Sequence, residues 1–126
     1  MTKFLLDTNV LLWYFWDKER ISSIKELIVS EDTEIFISSV SIWEVLIKTR
    51  KGKLDIDVDK MQFFIKKCGF LELPLDSSYA EAYLNLPHIH GDPYDHMLLA
   101  QAITCPMRFI TGDELLAEYS SLVMVV

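Results

Sequence analysis

The chain has 126 residues, about half of them apolar and a quarter charged, with a formal net charge of −7. That length suits one hydrophobic core and the balance is that of an ordinary globular protein. A membrane span is excluded, since the longest apolar run is only Val10 to Trp16, and the acidic total excludes a general nucleic-acid coat protein.

One domain over residues 1–126 is expected, and it is expected to be cytoplasmic. Asp7 interrupts any signal-peptide core after three apolar residues. Lys3–Leu6 reads as a first strand and Asn9–Trp16 as the helix behind it. That helix contains "WYFW", four bulky residues in succession, and a helix cannot turn all four into one core. Trp13, Tyr14 and Trp16 are therefore candidates for contacts with a partner. Next come a helical pattern at Ser22–Val29, a strand at Glu34–Ser38, and helical patterns at Ile42–Arg50 and Asp59–Cys68. A third strand at Phe70–Leu73 is followed by helical patterns at Ser77–Leu86 and Pro93–Thr104. Arg108–Thr111 is the fourth strand, Asp113–Tyr119 a last helical turn or two, and Leu122–Val126 the fifth strand.

Strands alternating with helices imply right-handed crossovers and a mostly parallel sheet covered on both faces. The strands are apolar on both sides ("FLL", "IFI", "VMVV"), as a buried parallel sheet requires. An α/β sandwich of about five short strands is the expected fold. In such sheets ligands bind beyond the carboxyl ends of the strands.

Four acids are predicted to reach that edge. Asp7 directly follows the first strand, and Asp113 lies two residues beyond the fourth. Glu44 lies early in the helix after the second strand, and Asp95 in the first turn of the helix before the fourth. Each has a local alternative role. Asp7 and Asp113 have the placing of helix caps, Glu44 has the spacing of a capping box with Ser41, and Asp95 follows the better cap Asp92 and Pro93. Together they are harder to explain as caps. Carboxylates crowded at a half-buried edge raise each other's pKa, and a divalent cation relieves both repulsion and desolvation. An all-carboxylate donor set suits Mg²⁺ or Mn²⁺ rather than zinc or copper, and Mg²⁺ shares its shell with phosphate oxygens.

His88 and His90 are spaced to face one way on an extended chain, but no third zinc ligand with a general base accompanies them. Cys68 and Cys105 fit no metal or disulfide framework and are expected as small core residues. Seven of the twelve basic residues fall between Lys48 and Lys67, a basic flank on an acidic body. Lys48, Arg50, Lys51 and Lys53 are its candidates for phosphate contacts.

"LLDTNVLLWYF", "SSVSIWEVLIKTRKGKL", "DPYDHMLLAQA" and "FITGDELLAEY" run in order over nearly the whole chain. This set resembles the PIN-domain family of metal-dependent ribonucleases, in particular VapC-type toxins. The resemblance implies a three-layer α/β/α fold and a Mg²⁺- or Mn²⁺-dependent endoribonuclease. It implies the quartet Asp7, Glu44, Asp95 and Asp113, supported by Thr111. Asp7 and Asp95 would hold the principal cation, with Glu44 and Asp113 completing the geometry. Thr8 and Asn9 would bond Asp7 or a phosphate, or cap the first helix. His96 stands where an arginine is usual, so its contact to RNA is in question, and Gly112 stands where a larger residue often precedes the acid. A homodimer, and inhibition by a separate antitoxin chain, are implied as well.

Three rivals have distinct signatures. A signalling receiver domain needs a phospho-accepting aspartate after the third strand, where Asp76 stands, but also a late lysine, and none follows Lys67. A non-catalytic PIN-like binding module would keep the acids without turnover. A PIN nuclease of RNA processing would lack an antitoxin.

Overall fold

The computed structural model describes residues 1–88 and 91–126. Five strands form one sheet in the order β3-β2-β1-β4-β5, every pairing parallel. They are β1 Thr2–Leu6, β2 Thr33–Ser38, β3 Leu71–Leu73, β4 Arg108–Thr111 and β5 Val123–Val125. Between them lie α1 Thr8–Trp16, α2 Lys25–Val29, α3 Ser39–Arg50, α4 Val58–Lys67, α5 Ser77–Ala82 and α6 Pro93–Thr104.

The three central strands, β1, β2 and β4, are buried on both faces toward their carboxyl ends, as their apolar runs predict, whereas the edge strands β3 and β5 are largely exposed or half-buried. Phe4 and Leu6 of β1, Ile35 and Ile37 of β2 and Ile110 of β4 join α1, α2 and α4 in one core layer. Leu5 and Phe109 face the other way, against Leu98, Leu99 and Ala102 of α6. Helix α3 serves both layers, through Val45 and Val40. The result is a three-layer α/β/α sandwich.

Helix starts differ from the sequence reading where a nearer cap wins. Ser38 Oγ accepts from the Val40 amide at 3.0 Å, so α3 begins at Ser39, and Ser41 with Glu44 do not form a capping box. Ser38 also donates to the buried Gln101 carboxamide, tying the start of α3 to α6. The stretch predicted as one helix over 22–29 is a 3-10 segment, Lys18–Ile24, broken at Ile21 and followed by the short α2. The helix predicted over 77–86 ends as α-helix at Ala82 and finishes in a 3-10 turn, Tyr83–Asn85. The last helix is a 3-10 turn, Glu114–Glu118. Cys68 is exposed just beyond α4 rather than buried, because α4 ends at Lys67 and the chain turns at Gly69.

The strand order decides one rival. A receiver domain has the order 2-1-3-4-5, whereas here β1 is central with β4 beside it. Asp76 is an exposed cap for α5, accepting from the Ser78 amide at 2.9 Å. The chain steps outward from β1 to β2 and β3, then returns to the other side of β1. That reversal opens a crevice between β1 and β4 at their carboxyl ends, where β1 runs into Asp7 and β4 into Gly112 and Asp113.

Candidate active site

Asp7 is fixed from both sides of the crevice. Its amide donates to the Ile110 carbonyl of β4 at 2.9 Å, which extends the β1–β4 ladder by one residue. Asp7 is also the N-cap of α1, so its Oδ1 accepts from the Thr8 amide at 2.7 Å. Its Oδ2 accepts from Thr111 Oγ1 at 2.6 Å. The same Thr111 oxygen accepts from the Asp113 amide at 3.1 Å, so one hydroxyl links the two acids that follow β1 and β4.

Glu44 lies on the second turn of α3 and is only 4 % exposed. Thr8 Oγ1 donates to its Oε1 at 2.6 Å and lies 2.9 Å from Ser41 Oγ. Lys48, one turn later, donates from Nζ to Glu44 Oε2 at 2.5 Å. Asp92 caps α6, accepting from the Tyr94 and Asp95 amides, with Pro93 at the first helical position. Asp95 is thereby held on the first turn of α6. Asp113 caps the final 3-10 turn through the Leu115 amide at 3.0 Å.

These carboxylates are electrostatically one group. Burial pushes the Asp7 pKa up to about 6, against the Thr111 and Thr8 hydrogen bonds that lower it, and Glu44 and Asp92 push it further up. Burial also pushes Asp95 up to about 8, and the charges of Asp7, Asp92, Glu44 and Asp113 all add to that rise. Lys48 answers them. Burial lowers its pKa, but the Glu44 bond and charge, with Asp92 and Asp95, outweigh burial and hold it above the usual lysine value.

Residues 4–122 match the PIN domain family. The chain belongs to it. This PIN domain is 22 % identical over 121 residues to Ribonuclease VapC22 of Mycobacterium tuberculosis, covering 94 % of this chain and 93 % of that one. Its fold is similar to a chain in the crystal structure of VapBC2 from Rickettsia felis bound to a DNA fragment from their promoter. There the TM-score is 0.74 at 14 % identity, over 99 % of this chain and 98 % of that one. It is also similar to a chain in DNA-bound VapBC from Salmonella typhimurium, with a TM-score of 0.71 at 20 % identity, over 100 % and 98 % of the two chains.

The donors of this PIN domain site fit a hard divalent cation in kind: they are carboxylate oxygens, buried or half-buried, whose neighbouring charges raise the pKa values of Asp7 and Asp95. Among the described residues no three His, Cys, Asp or Glu side chains already stand in a metal-holding arrangement. Glu44 is instead turned onto Lys48. His88 contacts the His96 ring, centroids 6.2 Å apart; His90 lies outside the described residues.

The remaining predicted site residues divide clearly. Thr8 and Thr111 are buried and bonded within the site, whereas Asn9 is exposed on the first turn of α1. His96 lies in the interior rather than on the surface. It is 4 % exposed, with Nε2 2.9 Å from the Tyr119 hydroxyl and its ring against Tyr83, because position 96 is on the face of α6 that packs inward. Arg50, Lys51 and Lys53 are exposed, while Lys48 is drawn into the acidic cluster. Of the aromatic run, Tyr14 is core, packed on Phe70 at 5.6 Å, and is not a partner contact. Trp16 is the outward member, 43 % exposed, and Trp13 packs over Gly112. Sequence reasoning missed the Glu44–Lys48 pairing, although their i,i+4 spacing carries its signal.

Proposed function

We propose that the protein is a Mg²⁺- or Mn²⁺-dependent endoribonuclease, a single domain over residues 1–126, acting as the toxin of a toxin–antitoxin pair. One observation carries this reading most directly. Asp95 feels the charges of Asp7, Glu44 and Asp113, carried by three other segments of the chain. Like charges gathered out of water are costly unless a cation offsets them. Membership in the PIN domain family and the likeness to a curated ribonuclease point the same way.

Asp7 and Asp95 would hold the principal cation, Glu44 and Asp113 completing its surroundings. When bound, the cation supplies activation of water near neutral pH and compensation of charge on the phosphorane. Thr111 keeps Asp7 oriented and more acidic than burial alone would leave it. Thr8 fixes the Glu44 carboxylate, and Gly112 leaves room for the Trp13 indole beside Asp113. Glu44 or Asp113 would orient the attacking water, and in-line attack would leave a 5′-phosphate and a 3′-hydroxyl. Lys51, Lys53 and Arg50 would hold RNA by its phosphates without reading sequence.

The partners follow from the same reading. An antitoxin would dock on exposed aromatics, of which Trp16 and Phe63 are two. A homodimer would use the apolar surface at Trp43, Leu46 and Leu75. No helix among the described residues is long and apolar enough to cross a membrane. Action on RNA in the cytoplasm belongs to the same proposal.

The deciding experiment is cleavage of a mixed RNA panel in EDTA, Mg²⁺ or Mn²⁺, by the wild type, Asp7→Asn and Asp95→Asn. Metal-dependent cleavage, lost in both folded variants, is the expected result. Cleavage that persists in EDTA or in Asp7→Asn would overturn the assignment. A folded wild type that binds neither metal nor RNA would leave the fold without the chemistry.

A further inference from the structure

Lys48 sits in an unusual place for a surface lysine. It leaves α3 one turn after Glu44 and bends back so that Nζ reaches Glu44 Oε2 at 2.5 Å. Its ammonium stands 5.8 Å from the centre of the Tyr94 ring, on the first turn of α6 between Asp92 and Asp95. Lys48 therefore bridges α3 to α6 at the mouth of the crevice, with carboxylates on both helices.

Glu44 explains why a cation is needed there. An ionised carboxylate 4 % exposed must be paired. Its inner oxygen takes the Thr8 hydroxyl and its outer oxygen takes Lys48. Among the described residues no other cation pairs with it. A divalent cation that is to use the outer oxygen of Glu44 meets the Lys48 ammonium 2.5 Å from that oxygen, and the two positive charges repel each other there.

We propose that Lys48 is the resident counter-cation of this carboxylate cluster: an incoming divalent ion displaces it from Glu44, and the displaced ammonium contacts a substrate phosphate. This rests on the metal-dependent reading above and adds to it a coupling. Metal entry costs the Glu44–Lys48 pair, and in return it presents a positive charge to RNA beside the carboxylates. Tyr94 keeps the ammonium beside the site after it lets go of Glu44, through cation–π attraction.

The test is Mn²⁺ binding to the full chain, stripped of metal, by calorimetry. It compares wild type, Lys48→Met, Lys48→Arg and Lys51→Met. Lys48→Met removes the competitor and should bind Mn²⁺ roughly fivefold tighter or more. Lys48→Arg keeps a charge that can pair with Glu44 and should stay within about twofold of wild type. Lys51→Met makes the same change in net charge on the exposed end of α3 and should also stay within about twofold. With saturating Mn²⁺, Lys48→Met should bind a hydrolysis-resistant phosphorothioate RNA more weakly than wild type; without metal the two should bind alike. Equal Mn²⁺ affinity in wild type and Lys48→Met, or an equal gain in Lys51→Met, would overturn this inference alone. Absence of Mn²⁺ binding in every variant would overturn it together with the metal-dependent reading. A gain confined to Lys48→Met in a protein that cleaves no RNA would uphold the displacement and sink the nuclease.

Discussion

The Thr111 hydroxyl donates to Asp7 Oδ2 across 2.6 Å, joining two residues 104 positions apart in the chain. That bond lies in the interior, where both residues are at most 4 % exposed. It also orders the site, because Thr111 Oγ1 accepts in turn from the Asp113 amide.

Replacing Thr111 by Val keeps the shape and removes the hydroxyl. The bond lowers the Asp7 pKa, so its loss should raise that pKa above about 6. A hydrogen bond to a buried charge contributes about 1.5–3 kcal/mol, and stability should fall by an amount in that range at pH 8. Carboxyl titration by NMR checks the first outcome and denaturant unfolding the second. An unchanged Asp7 titration would show that Thr111 is packing only.

The raised carboxylates set a pH dependence. Asp7 moves from 3.8 to about 6 and Asp95 from 3.8 to about 8. Between those limits the folded chain holds protons that the unfolded chain has released, so folding stability falls as pH rises. In EDTA the decline should begin near pH 4 and level off above pH 8. The buried Asp7 contributes about 1–3 kcal/mol of it. Asp95→Asn should flatten the part between about pH 6 and 8, and Mn²⁺ should restore stability at pH 8. Thermal melts across this range, with and without metal, are the measurement; a wild type more stable at pH 8 than at pH 5 in EDTA would contradict it.

Gly112 is fitted to Trp13. A β-carbon at residue 112 would lie 2.4 Å from the indole Cη2 and 2.7 Å from Cζ3, closer than atoms approach. Gly112→Ala should therefore cost about 1–3 kcal/mol, the usual range for overpacking. Trp13→Leu makes room, so the double variant should lose less than the two single losses combined. Strict additivity in denaturant unfolding would mean that the loop simply moves aside.

Lys51 and Lys53 are exposed beyond the end of α3. If each meets one phosphate of single-stranded RNA, changing both to Gln should reduce the slope of log affinity against log salt by about 1.4. Asp7→Asn in parallel should leave that slope nearly unchanged. An identical slope in the lysine variant would move the RNA path elsewhere.

Much of this was legible in sequence because the signals are local. All five strands lie where short apolar runs predicted them, and Asp92 with Pro93 starts α6 as their types require. The shared edge of Asp7 and Asp113 followed from their places just after two strands of an expected parallel sheet. What escaped depends on distant partners. Ser41 stands 2.9 Å from the hydroxyl of Thr8, 33 residues earlier, a contact that no local pattern announces. His96 reads as a surface substitute for arginine until Tyr119 closes over it. Tyr14 was indistinguishable from its aromatic neighbours, since four bulky side chains in a row blur the helical period; packing on Phe70 selects it for the core.

The order of the strands also sets a schedule for synthesis. β1 is made first and is central, yet β4, which covers its second edge, is made after roughly a hundred further residues. A nascent chain therefore carries Asp7 and Glu44 early but cannot join them to Asp95 and Asp113 until residue 113 has left the ribosome. Until then the Phe4–Leu6 edge stands open to stray pairing. Translation of this chain therefore presents an open sheet edge first, and the four gathered carboxylates only once β4 is in place.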